Sequence, residues 1–261
     1  MISNSIVKSY YDFLGVKVNE FESGIRIFKS KNRDILINNV VPQQVILSMF
    51  NDEFILSVAP EIYNEHFEVI KKSGIVSALK EKNEEKCIKV LDGLFELLFG
   101  NYSITHSSRL VRNSAIDLNR LIKDNDQIEL LEEKHYDNYL RTIKEDSEDM
   151  SQEEFNVIWS MKANVISEKK QYIALDSETV AGYCKVSDVI KDMANLVAYT
   201  SEYKRNHGYG KKVVATMANR CLSKGFIPMW WVDEDNLPSK ALGKSLGFDL
   251  LAKEIIVKIN Y

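Results

Sequence analysis

The chain has 261 residues, of which 45% are hydrophobic and 28% charged, with a formal net charge of −4. This is ordinary globular usage, and it excludes a mostly disordered, collagen-like or coiled-coil chain. The acidic balance argues against a dedicated nucleic-acid binder, and the length allows one large domain or two small ones.

Taken in chain order, residues 5–14 read as a short helix. Alternation over 24–30 and two apolar runs within 44–58 read as strands. Pro60 opens a helix that places Ile62, Tyr63, His66, Phe67 and Ile70 on one face, and Gly74 ends or interrupts it. A second helix spans 84–99, with Cys87, Ile88, Leu91, Leu94, Phe95 and Leu98 on one stripe and Gly100 as its stop. Residues 104–112 read as a strand. Residues 1–116 thus form an α/β region with no sharp chemical motif.

From 117 the texture changes. Residues 127–143 read as a helix. An acidic stretch follows, with Glu145, Asp146, Glu148, Asp149, Glu153 and Glu154. Ser151 and Glu154 have capping-box spacing at the start of a helix carrying Phe155, Ile158, Trp159, Lys162 and Val165 on one face. Strands are expected at 171–176, 180–186 and 193–200, the first two as a hairpin. A helix bearing Val213, Val214, Met217, Cys221 and Leu222 inward follows, then strand 226–232, a short helix ending at Gly247, and strand 251–260.

Cys87, Cys184 and Cys221 are odd in number and widely spaced, which disfavours a disulfide framework and fits a cytoplasmic protein. The first residues lack the continuous apolar segment of a signal peptide. No run approaches the ~20 apolar residues of a membrane helix. No metal site is expected, since His106 and His135 lack ligand spacing.

Five of the 11 glycines lie between 208 and 247. Gly208 and Gly210 sit between a strand and a helix start, where free N–H groups and positive partial charge suit a pyrophosphate. Lys204, Arg205, Lys211 and Lys212 add local positive charge. A P-loop would need an earlier Gly and a hydroxyl after the Lys. A dinucleotide fingerprint would need Gly or Ala where Val213 stands, tight against the strand. A turn that only turns is the plain alternative. The pattern Arg/Gln-x-x-Gly-x-Gly/Ala is met by Arg205, Gly208 and Gly210.

With Asn236, Ser239, Gly247 and Phe248 following in order, residues 117–261 resemble the GNAT N-acetyltransferase superfamily. The extra N-terminal region, the WWVDEDNLPS stretch and EFILSVAPEIYNEHF (53–67) are similar to its zwittermicin A resistance subgroup. The resemblance implies an α+β fold: a mixed, mostly antiparallel central sheet flanked by helices, preceded by the smaller α/β region. It implies acetyl-CoA as cofactor and an amine acceptor. Ala198, Tyr199 and Thr200 would hold the pantetheine arm. Arg205, Asn206, His207, Gly208, Tyr209 and Gly210 would hold the pyrophosphate, and Asn236 and Ser239 would touch the coenzyme.

Many family members carry a Tyr, the general acid, five residues before the Phe of the Gly-Phe pair; that position here is Gly243. Tyr199, Tyr203 and Tyr209 are candidate replacements. Asp233 and Glu234 are candidate general bases, with Asp192 the other nearby carboxylate. The acidic stretch would favour a cationic small-molecule amine. An acyl-CoA-binding module without efficient chemistry and a protein-modifying acetyltransferase are the alternatives. The N-terminal region is open between a degenerate copy of the fold, a lid and a surface for a homodimer. No nucleic-acid or membrane partner is expected.

Overall fold

The computed structural model describes residues 2–35, 43–146 and 149–260. The first region contributes helices α1 (Asn4–Leu14) and α2 (Val18–Glu22) and strands β1 (Ile27–Lys29), β2 (Val45–Phe50) and β3 (Glu53–Val58). Helices α3 (Pro60–Lys72), α4 (Ile75–Glu81) and α5 (Glu84–Phe99) follow, then strand β4 (Tyr102–Val111). Next come β5 (Gln127–Leu130), α6 (Tyr136–Asp146), α7 (Gln152–Ser160), α8 (Ala163–Ser167) and β6 (Gln171–Asp176). The chain continues through β7 (Thr179–Ile190), β8 (Met193–Thr200), α9 (Tyr209–Ser223), β9 (Ile227–Asp233), α10 (Leu237–Ser245) and β10 (Asp249–Ile259).

Local chemistry sets several starts. The Asn83 side chain accepts from Lys86 N–H at 2.9 Å and opens α5. Ser151 and Glu154 form the expected reciprocal box at α7, with Glu154 N–H to Ser151 Oγ at 3.2 Å and Ser151 N–H to Glu154 Oε2 at 2.9 Å. Glu154 is therefore a capping residue. Glu148 of the same acidic stretch lies outside the described residues.

Two elements differ from their sequence readings. The helix expected to carry Phe155 through Val165 stops at Ser160, with Val165 on the separate α8. Residues 127–143 are not one helix: Gln127–Leu130 forms a strand paired antiparallel with β6, Gln127 opposite Leu175 and Leu130 opposite Tyr172. The helix begins only after His135 Nδ1 accepts the Glu132 N–H at 3.0 Å. Pairing with β6 outweighs the helical spacing of the apolar residues, a tertiary override of local preference.

All ten strands form one sheet in the order β1-β3-β2-β10-β4-β9-β8-β7-β6-β5. Neighbours run antiparallel except β1/β3 and β8/β9. The architecture is thus the expected mixed, mostly antiparallel sheet flanked by helices. The sheet is continuous across residues 116 and 117. Strand β4 of the first region pairs with β9, and the final strand β10 pairs with β2. Each region supplies the other with a strand.

Alternate residues along β9 divide the two faces. Trp230 joins the core beneath α9 and α10, with Leu196, Val213, Val214, Met217, Leu246 and Phe248. Met229 joins the opposite core beneath α1, with Tyr10, Phe13, Ile46, Val111 and Ile256. Helices α6–α8 cover the far end, where Tyr139 of α6 and Phe155 of α7 join one core with Ile173 of β6 and Val180 of β7. Among the described residues no helix is long and apolar enough to cross a membrane.

The exchanged strands are joined by a buried ion pair. Arg109 on β4 donates through Nε and Nη2 to the two oxygens of Glu254 on β10, both at 2.7 Å, with side-chain exposures of 1% and 0%. Tyr10 from α1 donates to Glu254 at 2.6 Å, and Phe13 lies 4.5 Å beneath the Arg109 guanidinium. Burial and the Glu254 charge push the Tyr10 phenol well above its ordinary pKa, so it stays a donor. Removing one partner of such a pair strands a buried charge, at a cost of about 3–5 kcal/mol. Arg109→Met should lower the unfolding free energy by about that amount in urea titration. Arg109→Met combined with Glu254→Leu should recover most of the loss.

Candidate active site

The single parallel contact inside the sheet creates the site. Strands β8 and β9 pair over only three positions, Met193 with Ile227, Ala194 with Pro228 and Asn195 with Met229. Beyond Asn195, β8 stays paired to β7 as far as Thr200, while β9 stays paired to β4 as far as Asp233. The two strands therefore fork. Their facing edges lose their mutual hydrogen bonds, and backbone donors and acceptors are left for a ligand.

A cleft of about 540 Å³ fills the fork. One wall carries Ala198, Tyr199 and Thr200, and the other carries Trp230, Asn236, Ser239 and Leu242. Its floor is the turn Arg205, Asn206 and Gly208 with the first residues of α9, Tyr209 and Gly210. Residues chosen from the sequence for one ligand thus share one cavity. His207 does not line it; the ring is exposed and turned toward Tyr209, with centroids 6.4 Å apart.

The turn needs its glycines for two different reasons. Gly208 caps α9 at φ +84°, a conformation that costs little only without a side chain, and no side chain caps the helix start. Gly210 lies against β8: a Cβ there would sit 2.7 Å from Thr200 Oγ1. The charges also divide. Lys204 is held by Asp176 at 2.9 Å and Lys212 by Asp126 at 2.6 Å. Arg205 and Lys211 line the cleft and have no carboxylate partner among the described residues. With the free N–H groups of the helix start, they suit an anion such as a pyrophosphate.

Asn236 does two things. Its Oδ1 accepts the Ser239 N–H at 3.1 Å and caps α10, and the residue also faces the cleft. Gly243 does not face it. A Cβ at Gly243 would meet Leu110 Cδ1 at 2.9 Å and Trp230 Cε3 at 3.8 Å, inside the core. A tyrosine has no room there, so the site cannot use a phenol from this position.

The replacement phenols are committed elsewhere. Tyr199, 37% exposed, donates to Asp146, which also accepts from Ser201 Oγ at 2.6 Å. Partial burial and that carboxylate raise the Tyr199 pKa. Tyr209 is raised by partial burial and by Asp176. Tyr203 is 72% exposed and outside the cleft.

Asp233 and Glu234 do not reach the cleft. They line a separate hollow of about 310 Å³ with Ile104, Thr105, His106 and Asp235. Asp233 accepts from Ser107 at 3.1 Å, and Glu234 is held by Lys240 and Ser108. The Lys240 hydrogen bond, then that from Ser108, lowers the Glu234 pKa and weakens it as a base. Asp192 is tied to Ser9 of α1 at 2.7 Å. Burial raises the Cys184 and Cys221 thiols, Cys221 to about 11, which suits packing rather than nucleophilic attack. The sequence reading overlooked Asp188 and Asn195, which lie across the fork from the cleft.

Comparison with known proteins bears on the fold. The family model described as FR47-like protein matches residues 189–257, from the end of β7 through most of β10. A GNAT-family acetyltransferase from Colwellia psychrerythraea is similar over 100% of this chain and 98% of its own, at 11% identity and TM-score 0.50. The fold is a GNAT fold. A GCN5-related N-acetyltransferase from Sphaerobacter thermophilus aligns over 79% of this chain and 72% of its own, at 11% identity and TM-score 0.50. A protein from Novosphingobium aromaticivorans assigned to the GNAT family aligns at 11% identity and TM-score 0.41, over 59% of this chain. The chain spans 64% of that relative, just under two thirds. No match is found among curated proteins.

Within this GNAT fold, Gly210→Ala should lower the melting temperature because the new methyl group meets Thr200. Adding Thr200→Ala should restore most of it; thermal unfolding of the three proteins checks this. Glu234 has a depressed folded pKa, so its stabilisation is complete above the ordinary carboxylate range of about 4.3 and is lost as pH falls through the lower folded value. Wild type and Glu234→Gln should therefore differ in stability at neutral pH and converge in acid, read from urea midpoints against pH.

Proposed function

We propose that the chain is an acetyl-CoA-dependent N-acetyltransferase acting on a primary amine of a small molecule. The observation that carries this is the fork: two strands paired over three residues and then parted, above a glycine turn with two cations that have no carboxylate partner among the described residues. Arg205, Lys211 and the N–H groups at the start of α9 bind and orient the pyrophosphate. Ala198, Tyr199 and Thr200 hold the pantetheine arm along the free edge of β8, with Asn236 and Ser239 on the opposite wall. When bound, acetyl-CoA supplies an acyl thioester open to attack by an amine. Trp230 and Leu242 exclude water from the apolar wall of the cleft. The WWVDEDNLPS stretch and the added N-terminal region support placing the chain with the zwittermicin A resistance subgroup.

A missing general acid is tolerable here. A thiol of pKa about 8.5 is only ~1.5 units above neutral, so leaving as thiolate costs about 2 kcal/mol. The commitment of the Tyr199 and Tyr209 phenols to carboxylates favours one second reading, a module that binds acyl-CoA with little catalysis.

Titration with acetyl-CoA should quench tryptophan fluorescence through Trp230. Arg205→Ala and Lys211→Ala should each weaken binding about 10- to 100-fold, as expected for loss of a charge-assisted hydrogen bond of about 1.5–3 kcal/mol. Free-thiol release with a panel of amines should follow. Binding without release on any amine would select the second reading, and absence of binding would overturn both.

A further inference from the structure

Lys162 sits in the turn between α7 and α8, because the helix stops at Ser160. Its ammonium nitrogen lies 4.7 Å from the centre of the Tyr139 ring of α6 and 5.3 Å from that of Tyr183 of β7. Both are cation–π distances. Trp159 stands against Tyr139, with ring centroids 5.7 Å apart. Lys162 is thus half-buried in an aromatic pocket, and among the described residues no carboxylate partners it.

The pocket supplies no full negative charge. Burial raises the Tyr139 and Tyr183 phenols above their ordinary value, so both stay neutral. Burial, and then the like charge of Lys185 on β7, lower the Lys162 pKa to about 8. At pH 7 about a tenth of such amines are neutral, against under roughly a thousandth for an ordinary lysine of pKa about 10.4. The neutral amine is the nucleophile.

This pocket adjoins the cleft. Tyr183 stacks on Tyr199 of β8, with centroids 5.4 Å apart and planes at 29°. Tyr199 in turn lines the cleft, on the wall that carries Ala198 and Thr200. One residue therefore borders both the ring under Lys162 and the fork. The four-carbon stem of a lysine is flexible, so the amine can move from the Tyr183 ring past Tyr199 to the fork.

We propose that Lys162 is a self-acylation site, taking the acetyl group from coenzyme bound in the fork of the same chain. The proposal rests on the acyl-transfer reading. The neutral Nζ attacks the thioester carbonyl carbon; an N–C bond forms, the C–S bond breaks, and coenzyme A leaves as its thiolate. The proton lost by Nζ neutralises that thiolate. One acetyl-CoA thus gives one acetyl-lysine and one free coenzyme A. The amide is uncharged, so the aromatic pocket loses its cation.

The test incubates the full chain with acetyl-CoA and follows each lysine by peptide mass spectrometry. Lys162 should gain an acetyl group about tenfold or more faster than any exposed lysine. Its first-order rate constant should not change with protein concentration, as expected for transfer within one chain. Excess coenzyme A should slow it by competing for the fork. Lys162→Arg should abolish it and leave acetyl-CoA affinity unchanged. Where small amines still release thiol, self-acylation alone is overturned if Lys162 reacts no faster than exposed lysines, or at a rate that rises with protein concentration or ignores coenzyme A. Absence of acetyl-CoA binding, or binding with no transfer to Lys162 or to any amine, overturns the acyl-transfer reading and self-acylation with it.

Discussion

The Arg109–Glu254 pair is the contact on which the rest depends. It joins the two strands that the regions exchange, and it is buried in the middle of the ten-stranded sheet. Such a pair is retained only when nearly all its hydrogen bonds are made. Here they come from three directions: β4, β10 and, through Tyr10, α1. Met229 of β9 also receives Arg109 Nη1 at 2.9 Å. The pair therefore ties the N-terminal region to the very strand that forms one arm of the fork. The first 116 residues are part of the scaffold that holds β9 away from β8.

That geometry explains how a sheet can carry a cleft without breaking. A strand that leaves one neighbour must find another, or its backbone groups go unpaired. Strand β9 finds β4 from Met229 to Asp233, while β8 keeps β7 on its other side. Only the inner edges of the fork are left free. The cost of separating them is offset by the strand that the first region contributes.

The site's electrostatics are selective. Asp176 and Asp126 neutralise Lys204 and Lys212, which leaves Arg205 and Lys211 facing the cleft. Two residues of the acidic stretch, by contrast, are spent on structure: Glu154 caps α7 and Asp146 holds Tyr199 and Ser201. Its weight as an argument for a cationic acceptor is correspondingly reduced. On the other face of the fork, two buried atoms without a hydrogen-bond partner, Asn195 Oδ1 and Trp231 Nε1, border a hollow one water wide.

Local chemistry made much of this legible in the sequence. The strand at 193–200, the helix at 84–99 and the glycine turn depend on alternation, on an apolar stripe and on residues without a Cβ. These are properties of neighbours along the chain, so periodicity and residue type determine them. The strand Gln127–Leu130 was hidden because its partner β6 lies far along the chain and outweighed its helical spacing. The strand exchange, the burial of Gly243 against Leu110, the diversion of Glu234 to Lys240, and the meeting of Asp188, Asn195 and Trp231 were hidden for the same reason. The sequence by itself determined which turn could cradle a phosphate. Only the tertiary structure decided which charges stay free there and which polar atoms meet behind it, because those outcomes depend on long-range pairing across the sheet.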